Sequence, residues 1–506
     1  MKIIKSIKSL EKIIKQKKNY RKKIVLCHGV FDILHVGHIK YFKDAKKRGD
    51  YLIVSITADK FVNKGKGRPI FKDIYRAEVL SSLKDVDIVY INNNLTAVKL
   101  IKSIKPDVYF KGLEYKNHKK DKTGNILKEI NATKISGGVV QYNKDITFSS
   151  SNLINNHYNV FNLSQKKFIN KINNKYKFEF IFKKIQLFKK LKILLIGETI
   201  IDQYIFGDVL GKSGKEPHLV IKENHQENYL GGAAAIASHL STFCKSIEFL
   251  SMIGKEKNTD NFKFIKSFLK KNIKTTFLKN KNVPTIIKKR FIDNISKHKI
   301  LGVYKINDQI SDKLLDKNLQ NKINQKAKSV DVIIVSDYGH GLISADTAKK
   351  ICSMKKLLSL NAQINASNYS YYSLKKYNKI NILIINETEL RYEMRDKDDK
   401  IENIAYKLVK FQKIKTLIVT RGEQGSLMIR KGKIIYCPAF ATRVVDKVGA
   451  GDTMLAIISL CIKINLPDDL TLFLGSLAGA FSVENMANSK FLDKDKMLRE
   501  LEFFLK

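Results

Sequence analysis

Cysteine is scarce and scattered. The five in 506 residues, Cys27, Cys244, Cys352, Cys437 and Cys461, lie far apart with no C-x-x-C pair. That spacing excludes a disulfide framework and argues against a cysteine metal site, so reduced thiols in a cytoplasmic protein are expected. Long apolar runs are also missing: the best, Met454 to Ile462, is broken by Lys463, and no membrane span is expected. Acidic residues are few, 48 against 94 Lys and Arg, for a formal net charge of +46. The lysines are spread through every segment instead of forming a stripe with interleaved aromatics, so they read as compositional bias rather than a nucleic-acid surface. Their field still draws in nucleotides and sugar phosphates. The lysine-rich opening has neither an uninterrupted apolar core nor a small-residue cleavage site, and it reads as a surface helix from about Ser9. What is present, 44% hydrophobic and 28% charged residues, describes a globular chain too long for one core.

Short apolar or β-branched runs at 24–27, 51–57, 86–91, 107–110 and 139–142 alternate with stretches of helical periodicity. This predicts a Rossmann-like α/β domain whose parallel sheet is covered on both faces. Residues 157–189, rich in Asn, Lys, Phe and Ile and free of Gly and Pro, predict a partly helical connector. A second α/β series opens with Lys192–Ile196 and continues at 331–336, 380–385 and 416–420. The stretch from about 200 to 310, richer in short β-like segments, is expected to form a small β lid. The expected domains are therefore 1–156 and 190–506.

After the strand Ile24–Cys27, Gly29 and Gly37 allow the backbone to approach a ligand closely, and His35 and His38 stand three apart. On the first turn of a helix that spacing sets both imidazoles on one side, near the positive end of the dipole. There they can donate hydrogen bonds to phosphate oxygens and stabilise an α-phosphorus under attack, with no protein nucleophile. A bare H-x-G-H also fits one capping and one core histidine; the flanking Gly29-Val30-Phe31-Asp32 favours the phosphate site. Together with Lys64-Gly65-Lys66-Gly67-Arg68-Pro69, Arg76, Lys111-Gly112-Leu113-Glu114-Tyr115 and Ser149-Ser150-Ser151-Asn152, roughly residues 8–156 resemble the cytidylyltransferase-like nucleotidyltransferases. Among them they are most similar to the adenylyltransferase half of bifunctional heptose kinase/adenylyltransferases. The resemblance implies that Lys64 contacts the triphosphate or sugar phosphate, and that Gly29, Phe31, Gly37 and Arg76 line the nucleotide site. It further implies that Ser149, Ser150 and Ser151 bind nucleotide phosphates at a helix N-terminus, and that Asp32 and Lys111 lie beside the sugar phosphate. The serines alone fit an ordinary N-cap equally well. Class I aminoacyl-tRNA synthetases share H-x-G-H, and Lys134-Ile135-Ser136-Gly137-Gly138 is faintly like their lysine motif. The domain is too short for one, and the chain turns instead into a kinase-like segment.

Further on, Gly449, Ala450 and Gly451 allow backbone N–H groups to converge on a transferring phosphoryl group. Asp452 then opens an apolar helix, where its carboxylate can take the proton of an attacking hydroxyl. Alone, these four residues also fit an aspartate cap after a glycine turn. The wider segment 190–505 resembles the ribokinase/PfkB carbohydrate kinases, again most closely the heptose kinase half. The matching motifs are Gly231-Gly232-Ala233-Ala234, Ile201-Asp202-Gln203-Tyr204, Ser336-Asp337-Tyr338, Asn386-Glu387-Thr388-Glu389, Thr420-Arg421-Gly422-Glu423-Gln424-Gly425 and Asp446 to Asp452. The resemblance implies a ribokinase-like fold with Asp452 as base and Asp202, Gly231, Gly232 and Asp337 at the sugar. It places Asn386, Glu389, Thr420, Gly422, Gly425 and residues 449–451 at the nucleotide and phosphates. Mg²⁺ would be held through water near Asn386 and Glu389 with no direct protein ligand, and dimerisation would run through the lid. Three departures from the pattern stand out: Glu198 stands for the usual Asp, Ala235 for Asn, and Asn361-Ala362-Gln363 for Asp-Pro-Lys. The domain order is also reversed.

A kinase that makes a sugar phosphate and a transferase that loads it onto a nucleotide are consecutive steps of one pathway. The resemblance implies heptose 7-phosphate phosphorylated at O1 by ATP, then nucleotidyl transfer from ATP with pyrophosphate release. The altered sugar-side residues leave open another sugar with CTP, or a kinase-like domain that only binds sugar beside an active transferase. Neither nucleic acid nor membrane is an expected partner.

Overall fold

The computed structural model describes residues 3–62, 68–116, 125–143, 161–254, 260–280, 283–306, 312–365, 367–369 and 373–505. The chain divides into two compact units, one centred on Met1–Asn162 and the other on Leu163–Leu501.

In the first unit every strand pair is parallel, in the order Ile3–Ile4, Ile88–Asn92, Tyr51–Thr57, Ile24–Gly29, Val108–Lys111 and Val139–Tyr142. Alternate residues of the central strand face opposite cores: Val25 and Cys27 pack with Phe42, Val54 and Phe110, whereas Ile24 and Leu26 pack with Leu10, Ile53 and Tyr109. This is the pattern of a sheet covered on both faces. Each such buried aliphatic side chain contributes about 1.5–3 kcal/mol. The strand order reverses between Ile24–Gly29 and Val108–Lys111, so a crevice opens at their carboxyl ends, the usual ligand position in open α/β sheets. The short edge strand Ile3–Ile4 was too brief to register in the sequence, and the first helix runs Ile7–Asn19.

The second unit holds a nine-stranded sheet in the order Ile273–Asn280, Ser246–Gly254, Lys192–Gly197, Val332–Asp337, Leu357–Ala362, Ile382–Asn386, Thr416–Thr420, Ser426–Arg430 and Lys433–Cys437. It is parallel as far as Thr416–Thr420 and antiparallel beyond. Its central strands end at Gly197, Asp337, Ala362, Asn386 and Thr420, which gathers the motif residues along one carboxyl edge. Residues expected as a connector form two helices, Leu163–Lys175 and Phe178–Gln186, that belong to this unit. Lys175 and Tyr176 bind the Asp469 carboxylate at 2.8 Å each, and Phe168 packs on Phe440 and Phe473.

The lid differs from the expected run of short strands over 200–310. It is a four-stranded sheet in the order Lys299–Lys305, Ile286–Asp293, Thr199–Lys212 and Leu219–Gly231. Between its second and third strands in sequence the chain returns to the main sheet through the helix Gly232–Leu240 and the strands at 246 and 273. The apolar alternation of 246–254 and 273–280 resembles that of the lid strands, so periodicity alone could not assign them to different sheets. Tyr204, Phe206 and Ile292 of the lid pack on Ala487.

Candidate active sites

In the first unit Phe31 takes a left-handed step, φ 49°, immediately beyond the central strand. This turns its ring back over Gly29, where a Cβ would stand 2.9 Å from the ring. The ring meets His38 edge-on with centroids 5.5 Å apart, and His38 stacks on His35 at 4.0 Å. The two histidines are thus brought together, on different terms. His35 is the N-cap residue of Val36–Lys46, its Nδ1 accepting from the Gly37 N–H at 3.1 Å, while His38 stands on the first turn. Burial holds His35 below the usual histidine range. With Nδ1 an acceptor, the neutral ring carries its proton on Nε2.

Asp32 and Arg76, expected at ligands, are occupied by the protein. Asp32 Oδ1 accepts from the N–H groups of Ile70 and Phe71 at 2.8 and 3.1 Å, and Oδ2 lies 2.8 Å from Arg68 Nε in a pair whose side chains are 1% and 3% exposed. The Arg76 guanidinium donates to the carbonyls of Val30, Thr57 and Phe71 and to Asp59. It fastens the segments that wall the crevice. Arg76→Met is expected to cost more than about 2 kcal/mol, because several buried acceptors lose their donor together, and Arg76→Lys should recover little without the planar fork. Thermal unfolding of the full chain checks this. Lys111 Nζ donates to the His28 carbonyl at 3.2 Å, lies 3.9 Å from Glu129 and sits over the Tyr115 ring. It closes the crevice from the neighbouring strand. Lys64, Ser149, Ser150 and Ser151 lie outside the described residues.

In the second unit Gly449, at φ 87°, leads into the helix Ala450–Lys463, and a Cβ there would stand 2.7 Å from Asn488 Oδ1. Glycine is required on both counts. Asp452 lies buried on the first turn, its Oδ1 accepting from the Tyr338 hydroxyl at 2.8 Å. Burial, aided by the charge of Asp202, pushes its carboxyl up to about 6. Asp202 stands in a row across the lid, with Tyr229 opposite it on one side, Lys288 on the other and Tyr304 beyond Lys288. Arg290 Nη1 pairs with its Oδ1. Gly231 leaves room for that carboxylate, since a Cβ there would lie 2.2 Å from Asp202 Oδ2, and Gly232 sits at φ 59°.

Asp337, expected at the sugar, is bound by Lys376 at 2.7 Å, the Tyr377 hydroxyl at 2.6 Å and the Gly339 N–H at 3.0 Å. Glu198 accepts from the N–H groups of Tyr338 and His340 at 3.0 and 3.2 Å. Burial, with Asp337 beside it, pushes it up to about 7. Asn361 donates to the Ile384 carbonyl at 2.9 Å, while its buried Oδ1 has no partner among the described residues. Its Nδ2 lies 3.9 Å from where a Gly451 Cβ would be.

Asn386 and Glu389 form a reciprocal capping box at the start of Glu387–Met394. Beside it opens a cleft of about 490 Å³ lined by Asn386, Thr388, Arg391, Thr420, Arg421 and Gly422, among others. Arg391 and Arg421 both bind Glu387, at 2.9 and 2.8 Å. Gly425, at φ 86°, has no room for a Cβ, which would lie 2.1 Å from the Cys437 carbonyl.

The glycine turn, the buried acid and the cleft along one sheet edge agree with direct comparison: residues 190–494 match the pfkB family carbohydrate kinases. The chain belongs to that family. Residues 26–156 match the cytidylyltransferase-like family. The bifunctional protein HldE of Helicobacter pylori strain J99 is 28% identical over 282 residues, covering 54% of this chain and 58% of that protein. The protein of the same name from Campylobacter jejuni strain RM1221 is 27% identical over 277 residues, covering 54% and 57%. The chain thus spans less than two thirds of these relatives. Phosphofructokinase-2 from Escherichia coli, solved with substrates and products, aligns with a TM-score of 0.50 and 15% identity over 63% of this chain and all of that one. That likeness is one of fold.

Within the pfkB domain Lys299, Asn488, Lys288 and Arg290 lie outside the motifs read from the sequence. Asp446, which opens the glycine turn, accepts from the Tyr204 hydroxyl and Lys299 ammonium of the lid and from the N–H groups of Val448 and Ala487. Burial opposes ionisation, but Lys299 and Tyr204 hold the carboxyl below its ordinary range. Asn488 donates to the Leu230 carbonyl at 2.9 Å, just before Gly231-Gly232. Lys288 and Arg290, two apart on one lid strand, form a period-two pair that the background of scattered lysines concealed. Among the described residues no cluster of three or more His, Cys, Asp or Glu could hold a metal, and no helix is long and apolar enough to cross a membrane.

Proposed function

We propose that the pfkB domain transfers the γ-phosphoryl group of ATP to the anomeric hydroxyl of a sugar phosphate, with heptose 7-phosphate as acceptor. We further propose that, once the other phosphate is removed, the cytidylyltransferase-like domain joins the sugar 1-phosphate to the AMP portion of ATP and releases pyrophosphate. The observation that carries the reading is Asp452: a buried acid behind the glycine turn, beside Asp202, its carboxyl pushed up to about 6. Asp452 takes the hydroxyl proton as the acceptor oxygen attacks the γ-phosphorus, Tyr338 orients it, and the N–H groups of residues 449–451 receive the phosphoryl oxygens. Asp202, held by Arg290, binds sugar hydroxyls. Thr420, Gly422 and their neighbours line the cleft for the nucleotide.

Glu389 fits a Mg²⁺ carried in with the nucleotide. Its carboxyl, pushed up to about 7 by burial despite the backbone N–H groups of Asn386 and Ile364, has no cation paired with it among the described residues. Asn386 and Glu389 would hold the ion through its waters, and it supplies charge neutralisation for the triphosphate. In the transferase the His35 Nε2–H and His38 donate to phosphate oxygens, Lys64 and Ser149 to Ser151 bind the triphosphate, and Asp32 and Arg76 hold the crevice. We read the lid, with Leu219, Leu301 and Val303 exposed, as the dimer surface. Relatives described as bifunctional support two activities in one chain.

The test is pyrophosphate release by the full chain with Mg²⁺, ATP or CTP, heptose 7-phosphate and a phosphatase that leaves the 1-phosphate. Release that needs both the sugar and one nucleotide is expected with ATP. Release with CTP alone, or only from another sugar 1-phosphate, would keep the two activities and replace the substrates. Glu198 and Asn361 are the positions that favour this second reading.

A further inference from the structure

We propose that Lys288 is a further catalytic residue of the pfkB domain: its ammonium group neutralises the phosphoryl group during transfer. The proposal rests on the kinase reading above. Lys288 lies on the lid strand Ile286–Asp293 and is only 7% exposed. Among the described residues its Nζ makes no hydrogen bond or ion pair; it lies over the rings of Tyr338 and Tyr304 at 5.6 and 5.5 Å. A buried ammonium without a charged or hydrogen-bonded partner is costly, and it persists where a ligand supplies the missing anion.

The carboxylates around it are already served. Asp202 has Arg290, Asp337 has Lys376, Glu198 has the N–H groups of residues 338 and 340, and Asp452 has the Tyr338 hydroxyl. Among the described residues Lys288 is therefore the cation left over for the ligand.

The same tyrosine fixes which anion it meets. Tyr338 holds Asp452 with its hydroxyl and carries Lys288 over its ring, so the ammonium stands on the side of the base. An acceptor's own phosphate, on a carbon remote from the attacked hydroxyl, lies away from that base; the transferred group lies beside it. As the acceptor oxygen bonds to the γ-phosphorus and the bond to the β–γ bridging oxygen breaks, the hydroxyl proton passes to Asp452 and ADP departs. The charge spread over the equatorial oxygens of the moving group meets the Lys288 ammonium, which keeps its protons. Because Lys288 is on the lid, it joins the charge-stabilising groups only where the lid covers the site. Burial also lowers its pKa, as expected of an ammonium poised without an anion.

Lys288→Met and Lys288→Arg, made in the full chain, test this. With heptose 7-phosphate and MgATP, Lys288→Met should lose about 100-fold or more in kcat, with the acceptor KM changed by less than about threefold. Lys288→Arg should keep most of the rate, which a purely packing role would not predict. Separately, aluminium fluoride added to MgADP should raise the melting temperature of wild type and Lys288→Arg above that with MgADP alone, and should not do so for Lys288→Met. A wild-type kcat in Lys288→Met, a loss confined to acceptor KM, or an undiminished fluoride increment in Lys288→Met would each overturn the proposal. A wild-type chain that fails to turn over heptose 7-phosphate counts against the substrate reading, and the fluoride increment then decides Lys288 without a sugar.

Discussion

Asp452→Asn should lose phosphorylation by a factor of about 10²–10⁴, leave pyrophosphate release from supplied sugar 1-phosphate untouched, and melt at a higher temperature than wild type. The first two outcomes follow from the placement of the acid. Only a carboxylate can take the proton, whereas the amide oxygen of Asn can still accept from the Tyr338 hydroxyl and keep the local geometry. The third follows from proton linkage. The folded-state value is raised, from 3.8 to about 6, so the folded chain holds this proton more tightly than the unfolded one does. Stability from this group is fully present below the unfolded value and is lost as pH rises through about 6. At neutral pH the buried charge costs on the order of 3 kcal/mol, two pKa units at 1.36 each. Removing the charge recovers part of that, so the variant gains stability while losing turnover, and the gain should vanish near pH 4. Phosphorylation by wild type should rise with pH through about 6 as the base ionises. Kinase turnover retained in the variant would remove Asp452 from the role of base, and an unchanged melting temperature at neutral pH would show that its charge is not buried at a cost.

How far the sequence reveals such a site depends on whether a residue's role is local. Asp452 and Gly449 were legible because a glycine turn into an apolar helix fixes its own geometry, and the strand–turn–helix around His35 and His38 did the same. Asp32, Arg76 and Asp337 were expected from the sequence at ligands, and their engagement by other parts of the protein was not legible there. Their partners, Ile70, Thr57 and Lys376, come from other segments, and no spacing rule joins them. Lys288 carried no signal at all. Its meaning comes from standing opposite Asp202 on a neighbouring lid strand and from having no hydrogen-bond or ion-pair partner among the described residues, both products of tertiary pairing. The lid shows the same limit at the level of fold: strands at 246 and 273 have the periodicity of lid strands and join the main sheet, because long-range pairing decides their place.

The transferase histidines can be separated by the same distinction between local and ligand-directed roles. His38→Ala should lower pyrophosphate release by about 10²–10³, the effect of losing one donor to a charged transition state, and leave phosphorylation unchanged. His35 does two things, because its Nδ1 caps the helix that carries His38 while its Nε2–H is the donor. His35→Ala removes both, so a loss of about 1 kcal/mol in stability should accompany the loss of transfer. His35→Asn separates them. Asn is among the best N-cap residues, so the helix start and the position of His38 should be kept and the melting temperature should stay with wild type, while the short amide cannot place a donor where Nε2–H stood. Transfer should therefore fall in His35→Asn nearly as far as in His35→Ala. If His35→Asn instead transfers nucleotide at close to the wild-type rate, the cap is the whole contribution of His35 and the phosphate is met by His38 alone.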